Sequence, residues 1–97
     1  MNIQALMKQA QTLQKDMMKA KQEIDEKTYT NTQSFVKVEM KGTKEVIKVS
    51  IDSENLDKDD IEILEDLICV AVNENIKQIE KDTESKMGRF GGVAGLF

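Results

Sequence analysis

The chain has 97 residues and a net charge of −4, and it contains no histidine, proline or tryptophan. The absence of histidine excludes a Ser-His-Asp triad, a histidine-ligated metal site and a histidine pH switch. The single cysteine, Cys69, excludes an internal disulfide and a cysteine-based zinc site, so we expect no metal and no cofactor.

The first predicted element is a helix over residues 2–26. Its apolar residues are spaced alternately three and four apart, which is the a/d pattern of a coiled coil sustained over three heptads. They are Ile3, Leu6, Ala10, Leu13, Met17, Ala20 and Ile24. A seam this narrow favours a partner helix, and the alternative is a helix that packs on its own domain. The seam residues that we assign to a dimer interface are Leu6, Ala10, Leu13 and Met17.

Residues 27–51 change to the two-residue period of β-strands. Apolar residues alternate with charged or polar residues in 36–41 and again in 47–51, and Gly42 lies between the two runs. These features predict a β-hairpin with a tight turn, whose alternating lysines lie on the solvent-facing side of the sheet. The β-branched segment 28–32 predicts a third strand at the edge.

Residues 57–87 predict a second, longer helix with Asp57 as its N-cap. Residues 67–72 are apolar almost all round, and a small sheet covers only one side of a helix, so the other side is expected to meet a second subunit. The interface residues assigned to this helix are Leu67, Ile68, Ala71 and Val72. We expect Cys69 to be buried here as a small apolar residue and the polar end of the helix to project past the sheet.

Residues 88–97 are glycine-rich and predict a flexible tail, with Gly88 ending the second helix as its C′ residue. The rest of the chain, residues 1–87, is predicted to form one domain. Its class is α+β: a helix, a three-stranded antiparallel sheet and a long helix.

Charged residues are unevenly distributed along the chain. Residues 1–22 contain four lysines and one aspartate, a net charge of +3, whereas residues 52–66 contain eight acids and one lysine, a net charge of −7. This asymmetry permits a local basic surface on an acidic protein. The alternative is that both segments are ordinary solvated faces.

No constellation of reactive groups predicts an enzyme, and we expect no small-molecule substrate. Glu65 and Asp66 point about 100° apart on a helix, so they do not share a site. The acidic run that starts at Asp57 lacks the glycine and the glutamate that a calcium loop requires, and helix capping explains it better.

Lysines of the two helices are the candidate binding residues. Lys8, Lys15 and Lys19 are spaced seven and four apart, so they share one flank of the first helix, which we place beside the apolar seam. Such a row can follow a phosphate backbone. The second candidate group, at the end of the second helix, consists of Lys81, Lys86 and Arg89. No aromatic residue interleaves with either group, so we expect backbone contacts with weak sequence preference.

Motifs along the whole chain occur in an order that resembles the YbaB/EbfC family of bacterial nucleoid-associated proteins. The matching pieces are Leu6-Met7-Lys8-Gln9-Ala10-Gln11, Val36-Lys37-Val38 with Gly42, Ile51-Asp52, Leu64-Glu65-Asp66-Leu67-Ile68 with Ala71 and Asn73, Lys86-Met87 and Gly91-Gly92. The chain departs from the family pattern between its first two strands, where Thr32-Gln33-Ser34 replaces a glycine-rich stretch, and in a tail without proline.

The resemblance implies an α-β-β-β-α subunit that forms a tight homodimer, with helices projecting like the arms of tweezers around double-stranded DNA. It implies a role in nucleoid organisation and gene regulation, without a catalytic motif. We expect the acidic segment 52–66 to face away from DNA. The alternative hypothesis is a dimeric adaptor that binds proteins without contacting DNA, which the acidic net charge favours.

The sequence also indicates a compartment. An unpaired cysteine is typical of a reducing environment, and the N-terminus lacks the apolar core of a signal peptide. No segment approaches the roughly 18 apolar residues that a membrane span requires. We therefore expect a protein of the cytoplasm and nucleoid that has no membrane partner.

Overall fold

The first helix, α1 (Ile3–Glu26), begins at a capping side chain and ends directly at a strand. Asn2 is the N-cap, and its side-chain oxygen accepts hydrogen bonds from two N–H groups of the first turn that have no partner inside the helix. Lys27 is extended and leads into the sheet. The computed structural model describes residues 2–54, 56–88 and 90.

Three antiparallel strands follow, with the second in the centre of the sheet. They are β1 (Thr28–Gln33), β2 (Val36–Lys41) and β3 (Val46–Ile51). They confirm the predicted hairpin and the predicted third strand at the edge. Val36 lies opposite Ile51, and Val38 lies opposite Val49. Opposed side chains in an antiparallel pair share a face, so these four residues lie on the same side of the sheet.

The turn between β2 and β3 contains Gly42 as predicted, but the residue with a left-handed backbone is Lys44, with φ 73°. Gly42 is required for a different reason: a Cβ atom there would overlap the backbone carbonyl of Ile24. Its N–H donates a 3.0 Å hydrogen bond to the carbonyl of Lys27. Gly42 therefore joins the turn to the end of α1 and fixes where α1 leaves the sheet.

The second helix, α2 (Lys58–Met87), confirms the predicted N-cap. Asp57 accepts a hydrogen bond from the backbone of Asp59, and Asp60 accepts one from the backbone of Asp57, which forms a reciprocal capping box. The helix ends at Met87 with Gly88 as its cap, which confirms the predicted position of the ending, but Gly88 keeps right-handed angles, φ −59° and ψ −30°, instead of the left-handed angles usual at C′.

α2 packs across β1 and β2 and forms two apolar clusters. In the smaller one, Ala71 packs with Val36 and Val38 of β2. The larger one joins α2 to α1, β1 and β2, and its buried residues are Met17, Ala20, Ile24, Tyr29, Met40, Ile79, Met87 and Phe90. The structure thus confirms the predicted α+β fold and the α-β-β-β-α order.

Polar groups connect β1 and α2 beside the larger cluster. The Tyr29 hydroxyl donates a 2.7 Å hydrogen bond to Asp82, and the Lys27 ammonium lies 3.0 Å from the same carboxylate and 4.9 Å from the centre of the Tyr29 ring. The hydrogen bond from Tyr29, followed by that from Lys27, lowers the pKa of Asp82. Burial, followed by the contact with Asp82, raises the pKa of Tyr29 to about 12. The junction of α1 and β1 is therefore held against α2.

Only the second half of α1 takes part in the core. Its buried residues are Met17, Ala20 and Ile24, whereas every residue from 2 to 16 is exposed. At 1.5 Å per residue, residues 2–16 extend about 21 Å, and the molecule measures 71 × 19 × 14 Å. We call residues 2–16 the arm and the remaining described residues the body. The last turns of α2 share a cluster with α1 through Met87, so the segment that projects without cover is the arm of α1.

Candidate nucleic-acid interface

The three lysines predicted first lie in one row. Lys8 and Lys15 are on the arm and Lys19 is at its base, and all three are exposed. At 100° per residue they fall within about 40° of one another around the helix and about 140–180° from Met17 and Ile24. The row is therefore opposite the apolar seam. The expected position beside the seam is wrong, because these lysines occupy heptad positions on the far side of the a/d pattern.

The charges of this row are not neutralised by the body. Among the residues that the structure describes, Lys8, Lys15 and Lys19 form no ion pair, whereas Lys21 pairs with Asp25 at 2.9 Å. Asp16 is the single acidic residue in the sequence between positions 1 and 22. The arm therefore presents a cationic strip to the solvent on one side.

The second predicted group is placed differently. Lys81 is exposed on α2, and Lys86 is half-buried with its ammonium 3.8 Å from the Glu23 carboxylate, at the base of the arm. Glu23 lies one helical turn beyond Lys19, so Lys19 and Lys86 flank the same carboxylate. Arg89 lies outside the described residues. The structure thus brings Lys86 toward the first group but does not place the second group at the tip of the arm.

A further basic surface lies on the outer face of the sheet. Lys37, Lys41 and Lys48 are exposed there, which confirms their predicted position. Lys48 lies opposite Glu39 in the strand register, so this face carries a compensating acid. The outer face of the sheet therefore has three exposed lysines, the same number as the row on α1, in a different part of the molecule.

The acidic segment 52–66 lies at the other end of the body. It covers the connection from β3 to α2 and the first turns of α2, whereas the arm departs beside the last turns of α2. A helix of 30 residues is about 45 Å long. The greatest concentration of negative charge is therefore far from the lysine row, beyond the Debye length of about 8 Å at physiological salt.

The residues assigned to a dimer interface divide into three groups. Leu6, Ala10 and Leu13 are exposed on the arm. The residues of α2 that are half-buried against the sheet are Leu67, Ile68 and Val72. Met17 and Ala71 are instead buried within the subunit, because each faces an element of its own chain.

The expected burial of Cys69 is also corrected, because its side chain is exposed. Sequence reasoning missed one apolar surface. Ile63 and Val70 of α2 are exposed, and so are Val46, Val49 and Ile51 of β3. The apolar run 67–72 on α2 was a signal for Val70 but not for Ile63. The alternation in β3 gave no sign that α2 would leave this strand uncovered.

The described part of the chain lacks two other kinds of site. Within residues 2–54, 56–88 and 90, no group of three or more Cys, Asp or Glu residues is arranged to hold a metal ion. No helix among these residues is both long and apolar enough to cross a membrane.

The fold and the exposed lysine row define a small α+β protein that presents positive charge on a projecting helix. Residues 1–94 match the YbaB/EbfC DNA-binding family, and the chain belongs to that family. The resemblance seen in the sequence is thereby confirmed. This is a DNA-binding family and not an enzyme family.

Individual relatives agree with this membership. The chain is 43% identical over 105 residues to a nucleoid-associated protein of Lachnoclostridium phytofermentans, which covers 99% of this chain and 88% of the relative. It is 41% identical over 92 residues to a nucleoid-associated protein of Lactococcus lactis subsp. cremoris, with 93% of each chain covered. The crystal structure of the uncharacterized protein HP0035 from Helicobacter pylori has the same fold, with a TM-score of 0.75 at 19% identity, over 95% of this chain and 99% of that chain.

Proposed function

We propose that this protein binds double-stranded DNA as a homodimer in the bacterial nucleoid and contributes to nucleoid organisation and gene regulation. The observation that carries the proposal is the row of Lys8, Lys15 and Lys19, exposed and free of ion pairs among the described residues. The family and the names of the relatives support the same function. The protein acts in the cytoplasm.

The lysine row contacts phosphates and not base edges. An ammonium group is a point charge without the planar donor pattern that reads bases, and each phosphate that it neutralises releases a condensed counterion. Neither Tyr29 nor any phenylalanine lies on the arm, so base stacking does not contribute there. Binding is therefore sensitive to salt and nearly indifferent to sequence. Lys81, Lys86 and Arg89 supply weaker contacts near the base of the arm.

The homodimer forms through the uncovered side of the body. Val49 and Ile51 lie on the same sheet face as buried Val36 and Val38, but they stay exposed because α2 spans β1 and β2. α1 packs on α2 within the larger cluster, which Val72 and Ile76 border, and α2 leaves exposed apolar residues outside this cluster.

The exposed apolar residues of α2 include Ile63 and Val70, and Leu67 lies between them, half-buried. A face of this composition is too apolar to remain in water, and a chain this short buries limited surface alone. A second copy covers this face, and the arms stay free to contact DNA.

The DNA contact is tested by fluorescence anisotropy of a labelled duplex titrated at several salt concentrations. Replacing Lys8, Lys15 and Lys19 together by glutamate is expected to abolish binding. The matched control replaces Lys37, Lys41 and Lys48 by glutamate, which changes the net charge equally on the outer sheet face. Single replacements in the row by glutamine are expected to lower the slope of log K against log salt by about 1 for each phosphate that is no longer neutralised.

Equal loss of binding in both triple variants would show that net charge and not the arm governs the interaction. Unchanged binding after replacement of the row would refute its assignment. If the unmodified protein fails to bind any duplex at low salt, the adaptor hypothesis replaces the DNA-binding one, and protein partners become the target.

The dimer is tested separately by sedimentation velocity at low protein concentration. Val70→Glu places a carboxylate in the uncovered face and is expected to give a species of 11.0 kDa, the mass of one chain. Thr32→Glu, which adds the same charge on the outer face of the sheet opposite Lys37, is expected to leave the mass at twice that value. Equal masses for the two variants would show that the dimer interface does not include Val70.

A further inference from the structure

The apolar seam of α1 continues beyond the point where the body covers it. Met17 is the last seam residue in contact with the core, and the next three seam positions along the arm are Leu13, Ala10 and Leu6. Ile3, Leu6 and Leu13 are 69%, 47% and 41% exposed. Half of this coiled-coil seam is buried within the subunit. The other half is exposed, and its apolar spacing suits contact with another helix.

We propose that the arm pairs antiparallel with the arm of a second copy of this chain, centred on residue 8. In this register Ile3 faces Leu13 of the second copy, and Leu6 faces its Ala10. The two-fold symmetry repeats both contacts, so the pairing has four apolar layers. A large residue lies opposite a small one in the two central layers, which lets the helices approach closely.

The residues that border the seam favour this register. Gln9 lies beside Gln9 of the second copy, Met7 beside its Met7, and Asp16 beside its Asn2. No two like charges face each other, so electrostatic repulsion does not oppose the contact. Lys8 and Lys15 lie on the far side of the helix from the seam and remain in the solvent.

The length of the arm fits the same register. Asn2, the N-cap, lies level with Gln14 near the end of the arm of the second copy, and the next seam residue, Met17, is already buried in the larger cluster. The paired segment is thus the whole exposed arm and no more. It contains few apolar residues, so the pairing is weak and depends on protein concentration.

Arm pairing joins two assemblies while each keeps its lysine row available. The contact is isologous, so it links copies in pairs, and assemblies with two arms each extend into rings or chains. The proposal does not rest on DNA binding, because the seam and the lysines occupy opposite sides of one helix. If the proposed DNA contact is correct, paired arms hold two duplexes near each other.

Sedimentation equilibrium without DNA tests the association. The unmodified protein is expected to show an average mass that rises about twofold or more between low and high concentration. Leu6→Glu places a charge in the centre of the seam and is expected to remove the rise, whereas Gln11→Glu adds the same charge on another side of the arm and is expected to keep it. Circular dichroism checks that both variants retain their helix content.

Cross-linking tests the register. In a Cys69→Ala background, Gln9→Cys is expected to be joined into a covalent pair by a short bismaleimide, and Gln11→Cys is expected to react far less. A mass that does not rise with concentration, an equal rise in both glutamate variants, or equal cross-linking of both cysteines would overturn the proposal. Cross-linking at Gln9→Cys without a rise in mass would also overturn it, because the arms would then pair within one assembly.

Discussion

The two halves of α1 have the same apolar pattern and opposite surroundings. From Met17 onward the seam is buried by α2, β1 and β2, whereas from Asn2 to Asp16 no described residue of the body covers it. All of residues 3–26 are helical, but only the second half of this helix packs against other elements of the chain. The comparison teaches that a continuous heptad pattern fixes which side of a helix is apolar and leaves open which molecule covers that side.

The largest expected difference compares two isoleucines of the same seam. Ile24 is 3% exposed in the body and Ile3 is 69% exposed on the arm. Ile24→Ala is expected to lower the free energy of unfolding by about 2–5 kcal/mol, because it removes buried methyl groups and leaves a cavity. Ile3→Ala is expected to change it by less than about 0.5 kcal/mol. Urea unfolding at one protein concentration measures both, and equal effects would mean that the arm is packed in solution.

The next largest effect concerns the joint between arm and body. Gly42→Ala forces a methyl group against the carbonyl of Ile24 and is expected to destabilise the protein by about 1–3 kcal/mol. Gly88 is the control, because no atom lies within 4 Å of its Cβ position and its backbone is right-handed. Gly88→Ala is expected to stabilise by about 0.4–1 kcal/mol. Thermal unfolding compares the two, and a neutral Gly42→Ala would contradict the close approach of α1.

A smaller effect is expected where β1 meets α2. Tyr29→Phe removes the hydrogen bond to Asp82 and is expected to cost about 1 kcal/mol at neutral pH. Because the pKa of Asp82 is lowered in the folded protein, its contribution is present above the usual aspartate pKa of about 3.9 and is lost as the pH falls. The cost of Tyr29→Phe should therefore shrink in acid. If the cost of Tyr29→Phe were independent of pH, the Tyr29 hydroxyl would not be hydrogen-bonded to the Asp82 carboxylate in solution.

The finest test observes Tyr29 without changing it. The chain has one tyrosine and no tryptophan, so tyrosinate absorbance reports this residue alone. The raised pKa means that its stabilising contribution is complete below about pH 10 and is lost as the pH rises toward 12. Ionisation is expected near 12 in the folded protein and near 10 in urea. Coincident titrations would show that Tyr29 is not buried in solution.

The elements of the fold were predictable because each has a clear period. The three-and-four spacing of α1, the alternation around Val38 and the capping pattern at Asp57 each depend on local geometry that a short window contains. The family followed from the order of such pieces. Their boundaries agree with the structure to within one or two residues.

The arrangement of the elements was less predictable. Which helix projects depends on how α1 and α2 overlap, and that overlap is set by the approach of Gly42 to Ile24, a contact between residues distant in sequence. The exposure of Cys69 depends on the orientation of α2 over the sheet. The angular position of Lys15 opposite the seam was implicit in the heptad pattern, and it was missed because residue spacing alone was considered.

Because α1 is packed against the body only in its second half, its free half can pivot about that packed region. The packed region consists of Met17, Ala20 and Ile24, and the free part of the helix is about 21 Å long. A rotation of the helix by about 10° at this packed region would move the tip of the arm by about 4 Å. The position of the lysine row therefore depends on the packing of three side chains that lie outside the row, and changes in their size are expected to shift the tip of the arm.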